Sequence, residues 1–158
     1  MTTSALSTVL VAKGTVTVPL TKPHNPDAFY QRRDGLYVFL DFRDRLVRRA
    51  KRTQSASPVT LRHFVLERDA TDKDIEAELG PNHIFTESEV CWIVAEMIGR
   101  QEGGTAGDLD NTGNANLFYT PSCVLLVRWL GVDREWRVRT WPRGGSGWRA
   151  GGSAFSRT

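Results

Sequence analysis

Between positions 123 and 141 the chain alternates apolar and polar residues twice, with a short break between the runs, and few folds accommodate that pattern. Cys123, Leu125, Val127 and Trp129 share one phase, and Val124, Leu126, Arg128 and Leu130 the other. Beyond residues 131–134, Trp136, Val138 and Thr140 alternate with Glu135, Arg137, Arg139 and Trp141. Strand side chains point to opposite faces with a period of two, so the segment reads as an antiparallel hairpin. A four-residue loop sets Trp129 opposite Trp136, Val127 opposite Val138 and Arg128 opposite Arg137. A slip of one residue would move Arg137 and Arg139 onto the face of Val127 and Trp129, so the apolar pattern selects the first register.

That register gives the hairpin two unlike faces. Tryptophans and valines point inward, whereas Arg128, Arg137, Arg139 and Trp141 point outward, with Trp148 and Arg149 close in sequence. Like charges directly opposite in a sheet are destabilising, so the arginine face must be neutralised by something. Charge is unevenly spread: residues 31–52 hold eight Arg or Lys against three Asp, residues 65–110 twelve acids against three bases, and residues 128–158 seven Arg against two acids. Packing of the acidic middle against the basic face is one solution. The other is an anionic partner, because arginine beside exposed aromatic rings can hold anions and stack planar groups. Arg128, Arg137, Arg139, Trp141 and Trp148 are therefore the candidate binding residues.

The other elements complete an α+β reading. Val9 to Val11 and Thr15 to Val18 suggest a hairpin around Ala12-Lys13-Gly14. Residues 19–26 contain three prolines and form an irregular connector. Phe39, Phe42, Leu46 and Ala50 fall at helical spacing, predicting a basic amphipathic helix over 40–52, and residues 59–66 read as a strand. Thr71 with Asp74 approximates a capping box, and Gly80-Pro81 stops the helix it opens. Thr86 and Glu89 form a second box, with Phe85 and Val90 as a hydrophobic staple. Val90, Ile93, Val94, Met97 and Ile98 then mark the core helix, 86–100. Residues 102–116 are a Gly-, Asp- and Asn-rich loop, and residues 1–6 and 157–158 are expected to fray. Strands, helices and then strands predict one domain over 1–158, a mostly antiparallel sheet covered on one face by helix 86–100 and flanked by the basic helix.

Several motifs suggest chemistry. Asp108-Leu109-Asp110-Asn111-Thr112 matches the Asp-x-Asp-x-Thr signature of haloacid-dehalogenase-like phosphotransferases, but the glycine-rich residues 103–107 cannot form the buried strand that signature follows. Extended to Gly113, the stretch mimics half of a calcium loop with Asp108 and Asp110 as ligands, yet position twelve is Tyr119. Local Asp and Asn turns explain it more simply. His24, His63 and His83 show no metal-ligand spacing. A pair joining Cys91 or Cys123 to His63 or His83 has no local support, because both cysteines lie in apolar runs where a thiol behaves as a small hydrophobe. Glu87 and Glu89 are explained by the helix start they occupy. No nucleotide-binding or hydrolase fingerprint is present, and no cofactor is expected.

Asn116-Leu117-Phe118-Tyr119, the Trp129/Trp136 hairpin and Trp148-Arg149-Ala150-Gly151 followed by Phe155-Ser156 resemble a group of small uncharacterised bacterial proteins over roughly the last hundred residues. The resemblance implies a bacterial, cytoplasmic origin and no particular activity or site. No run approaches the ~20 apolar residues of a membrane helix, and two cysteines in apolar runs suit a reducing compartment. Two functional readings follow. The first is a non-catalytic module that binds a protein or peptide, in preference to nucleic acid, through the basic sheet face. The second is a small hydrolase or other enzyme built on the Asp108/Asp110 loop or a Cys–His pair.

Overall fold

The hairpin forms in the register its side chains dictate. In a computed structural model that describes residues 8–158, β6 (Cys123–Leu130) and β7 (Glu135–Pro142) pair with Trp129 opposite Trp136, Val127 opposite Val138 and Arg128 opposite Arg137. The Trp129 and Trp136 rings meet edge to face with centroids 5.3 Å apart. The buried Trp136 indole N–H donates to the Gln101 carbonyl at 2.9 Å, so its polar end is satisfied inside the core.

Around this hairpin lies a sheet in the order β1-β3-β9-β5-β6-β7-β2. Its other strands are β1 (Leu10–Val18), β2 (Leu36–Val38), β3 (Val59–Leu66), β5 (Asn116–Tyr119) and β9 (Ser153–Arg157). A two-residue pair, β4 (Ala70–Thr71) with β8 (Gly147–Trp148), stands apart. Pairing is antiparallel except for β5 with β9 and β2 with β7. The last strand in sequence therefore occupies the middle of the sheet, between β3 and β5. The architecture is α+β.

Helix α4 (Glu87–Gly99) packs on one face against Leu61, Phe118, Val127, Val138 and Phe155, and eight of its thirteen residues are buried. Thr86 caps it by accepting from the Glu89 amide at 3.1 Å, but the box is left half-formed because the Glu89 carboxylate reaches Arg157 instead, at 3.0 Å. Helix α3 (Asp72–Leu79) has its full box, Thr71 and Asp74 bonding reciprocally. Its Ile75 and Leu79 lie on the opposite sheet face, with Phe64, Leu117, Tyr119 and Ala154. Helices thus cover parts of both faces rather than one: on the α3 side Val124 and Leu126 of β6 are buried, whereas Arg128 and Trp141 stay exposed.

Two local expectations are corrected. The amino-terminal hairpin is one strand, β1, with an extra residue at Lys13: Ala12 opposes Phe64 and Gly14 opposes His63. Gly14 takes φ 110°, and the bulge reverses the facing of the strand, so Leu10 joins the α3 side while Val16 and Val18 join the α4 side. The basic helix is shorter than 40–52. One α turn, α2 (Leu40–Phe42), runs into a π turn, Arg43–Val47, which buries Leu46 and Val47 side by side, and Arg48 N–H bonds back to the Arg43 carbonyl at 3.0 Å. At the other end of the chain Arg157 belongs to β9 and the Thr158 amide reaches the Thr60 carbonyl at 3.3 Å. The expectation for 1–6 lies outside the described residues. Within them, no helix is long and apolar enough to cross a membrane.

The 102–116 loop is fixed by two buried amides. Gln101 donates to the Thr105 and Leu109 carbonyls and accepts from Leu109 N–H, at 2.8–3.0 Å. Asn116 joins Asp110 N–H and C=O to the Val127 carbonyl, at 2.8–3.2 Å. Gly104, at φ 76°, lies against the Trp129 ring, and a Cβ there would be 2.2 Å from the indole. Gly104→Ala should therefore destabilise by about 2–4 kcal/mol through left-handed backbone strain and overpacking. In urea titrations the midpoint should fall with the slope unchanged.

Candidate functional site

All five candidate binding residues, Arg128, Arg137, Arg139, Trp141 and Trp148, line one cavity of about 430 Å³. A second hollow of about 500 Å³ shares Leu126, Arg128, Gly147 and Trp148 with it and adds Asn114 and Arg149. The two form a continuous trough, and no Asp or Glu lines either part. One bank is the outer face of β6 and β7, and the other is the turn that leads into β8.

The arginines of the trough are neutralised unequally. Arg137 donates to Glu135 at 2.8 Å and to Asp133 at 2.7 Å, two carboxylates of its own hairpin. Its guanidinium also lies over Tyr37, which Arg32 covers at 4.1 Å. Arg139 sits between the Phe39 and Trp141 rings, 4.4 and 4.5 Å from their centroids, with Asp41 at 3.5 Å. The other Asp41 oxygen accepts from Thr140 N–H at 3.0 Å, extending the edge where β2 stops pairing with β7. Arg128 differs: its Nε–H donates to the Gly113 carbonyl at 2.8 Å, and among the described residues no carboxylate lies within 4 Å of it. The acids that balance this face come from the hairpin and from α2, not from the acidic helices as expected.

A buried carboxylate sets the second bank. Asp72, the first residue of α3, is fully buried. One of its oxygens accepts from Tyr119 O–H at 2.8 Å and Trp148 Nε1–H at 2.6 Å, and the other from the Gly144 and Ser146 amides at 3.0 and 3.3 Å. The helix start also favours its charge. Burial, then the charge of Asp72 and the bond to it, push the Tyr119 phenol well above its ordinary range. Beside it, Glu76 accepts from Arg143 at 2.8 Å and pairs with His83 at 2.8 Å. Burial alone would raise the Glu76 carboxyl, but the bonds from Arg143 and His83 outweigh it and hold the group below its usual value. The Trp148 indole is thus fixed by its bond to Asp72.

The enzyme constellation does not assemble in this way. The Asp110 carboxylate accepts from Thr112 N–H and Oγ1–H, both at 2.8 Å, and from Asn114 N–H, making a local turn. Asp108 faces Arg100 at 3.9 Å. His63 stacks on Phe155 and meets Ser153 Oγ at 3.0 Å, and His83 is engaged with Glu76 and the Gly80 carbonyl. Neither cysteine touches a histidine. Burial pushes both thiols up, Cys91 far above the ordinary thiol range, so neither is a ready nucleophile. Among the described residues, Asp108 and Asp110 included, no group of three His, Cys, Asp or Glu could hold a metal ion.

Sequence reasoning missed Phe39 and Leu126 in the trough, and Asp41 and Asp72 behind it. Asp133 and Glu135 could have been found, since they lie four and two positions before Arg137 on the turn side of the hairpin. No family model, curated protein or solved structure matches the chain.

Asp72→Asn would set an NH₂ group against donors that a carboxylate accepts. It should cost about 2–4 kcal/mol and speed proteolysis of the 143–148 turn, measured by denaturant titration and limited digestion. A pH dependence follows from His24, which is 8% exposed and whose burial lowers it from 6.5 to about 4. The unfolded chain binds this proton at higher pH than the folded one, so its contribution is full above pH 6.5 and declines towards pH 4. His63, also lowered chiefly by burial, acts in the same direction. Melting temperature should fall across that window, and His24→Phe should flatten the fall.

Proposed function

We propose that the protein is a non-catalytic interaction module that holds an acidic segment of a partner protein in the trough, with Arg128 as the anion anchor. The observation that carries this reading is that Arg128, alone among the three outward arginines of the hairpin, has no carboxylate partner, at the point where the two hollows join. Burying a carboxylate against it would form a charge-assisted hydrogen bond with a cation that is already held in place. Leu126, Trp141 and Trp148 supply apolar surface beside the anion, which suits a peptide with an acidic residue next to an apolar one.

Two further points favour a peptide side chain over a nucleic-acid backbone or an added strand. Four arginines stand around the trough against three carboxylates, so the face is near neutral and matches one negative charge better than a run of phosphates. The adjacent strand edge is closed, with Thr140 N–H bonded to Asp41 and Pro142 lacking an N–H, so recognition runs through side chains on the face. A reducing, cytoplasmic setting fits the two free, buried cysteines.

Selection from a displayed peptide library should enrich sequences with Asp or Glu beside an aromatic or aliphatic residue. Arg128→Glu should weaken an enriched peptide at least about tenfold, the loss of one charged hydrogen bond, while lowering the melting temperature only slightly, since this exposed side chain gives up a single bond to the Gly113 carbonyl. Enrichment without acidic residues, or binding indifferent to Arg128→Glu, would overturn the proposal.

A further inference from the structure

A second basic surface lies outside the trough. Arg45, Arg48, Arg49, Lys51 and Arg52 fall within eight positions, and all five are exposed. Arg48 is paired with Asp44 at 3.4 Å, whereas among the described residues no carboxylate lies within 4 Å of Arg45, Arg49, Lys51 or Arg52. These cations contrast with Arg137 and Arg139, which have carboxylates close by.

The segment is held in place rather than trailing in solvent. Leu46 and Val47 anchor the π turn in the core. Lys51 N–H donates to Ser88 Oγ at 2.8 Å on α4. Thr53 and His24 exchange both backbone bonds, at 2.9 and 3.0 Å, and Ala56 N–H reaches the Leu20 carbonyl at 2.8 Å. Five positive charges are therefore presented on a pinned ridge, and among the described residues Asp44 alone forms an ion pair with any of them.

We infer that this ridge, residues 45–52, binds the phosphate backbone of a nucleic acid without reading its sequence. Closely spaced cations on a fixed surface displace the counterions condensed on such a backbone, and that release drives binding without base contacts. A lipid surface fits less well. The apolar side chains of the segment, Phe42, Leu46 and Val47, all point into the core, and Leu40 is the one large apolar residue nearby that is exposed, at 71%. An interfacial helix needs an apolar face turned outward. A net charge of +3 does not oppose the approach of a polyanion.

The test is fluorescence anisotropy of the full chain with a labelled single-stranded DNA of about 20 nucleotides and with its duplex, between about 50 and 200 mM NaCl. The logarithm of affinity should fall against that of salt with a slope near −3 for the single strand, from four or five phosphate contacts at about 0.7 each. The triple variant Arg45→Glu/Arg49→Glu/Arg52→Glu should lose at least about a hundredfold at the lowest salt and most of the slope. The corresponding triple lysine variant should retain both, which separates charge from folding. A peptide selected by the trough should not compete with the DNA, which separates this ridge from the trough. Absence of binding at the lowest salt, an unaffected glutamate variant, or binding to phosphatidylserine vesicles in place of DNA would each overturn the inference.

Discussion

Everything on the open side of the sheet depends on Trp129 meeting Trp136. The edge-to-face contact and the bond from Trp136 to the Gln101 carbonyl hold β6 and β7 in a single register. Register decides facing, because a shift of one residue exchanges the two faces of a strand. With the tryptophans inside, Arg128, Arg137, Arg139 and Trp141 have nowhere to go but out. The trough is a by-product of core packing, and the pressure to bury two large rings is what assembles it.

The outward arginines then differ according to what lies within reach. Arg137 finds Asp133 and Glu135 because the turn of the same hairpin returns them to its side. Arg139 stands beside Asp41 because β2 runs parallel to β7 and ends there. Rings of β2 and β7 fill the spaces between the guanidinium groups, so these two side chains serve as structure on an outer surface. Arg128, one strand further in, has a backbone carbonyl as its partner and keeps its charge uncompensated. Local geometry thus sorts three similar arginines into two that are paired with carboxylates and one that is paired with a backbone carbonyl.

The parts of this arrangement that depend on near neighbours were legible in the chain. The period-two pattern gave the hairpin and its register, and Thr71 with Asp74 and Thr86 with Glu89 marked two helix starts. Parts that depend on distant residues were not. Nothing local announces that Leu36–Val38 will pair parallel with β7, or that α3 will cross to the far face and leave the hairpin open. Asp72 reads as an ordinary acid at a helix start, whereas its burial and its four donors come from segments some fifty to eighty positions away. A single inserted residue at Lys13 reversed the facing of β1, which a two-residue period cannot foresee. Of the site itself, the five side chains were readable and the carboxylates behind them mostly were not.

The central position of β9 has a consequence for how this chain is made. Strands β1 and β3 form one block and β5, β6, β7 and β2 another, and Ser153–Arg157 is the seam between them. A nascent chain emerges amino terminus first, so both blocks exist as separate edges until the seam strand arrives. During that interval β3 and β5 each present an unpaired flank, and pairing between blocks of different molecules competes with closure within one. Synthesis order thus makes β9 the keystone, and crowding of chains in which it has not yet been made is the circumstance in which this fold is most exposed to exchange of halves.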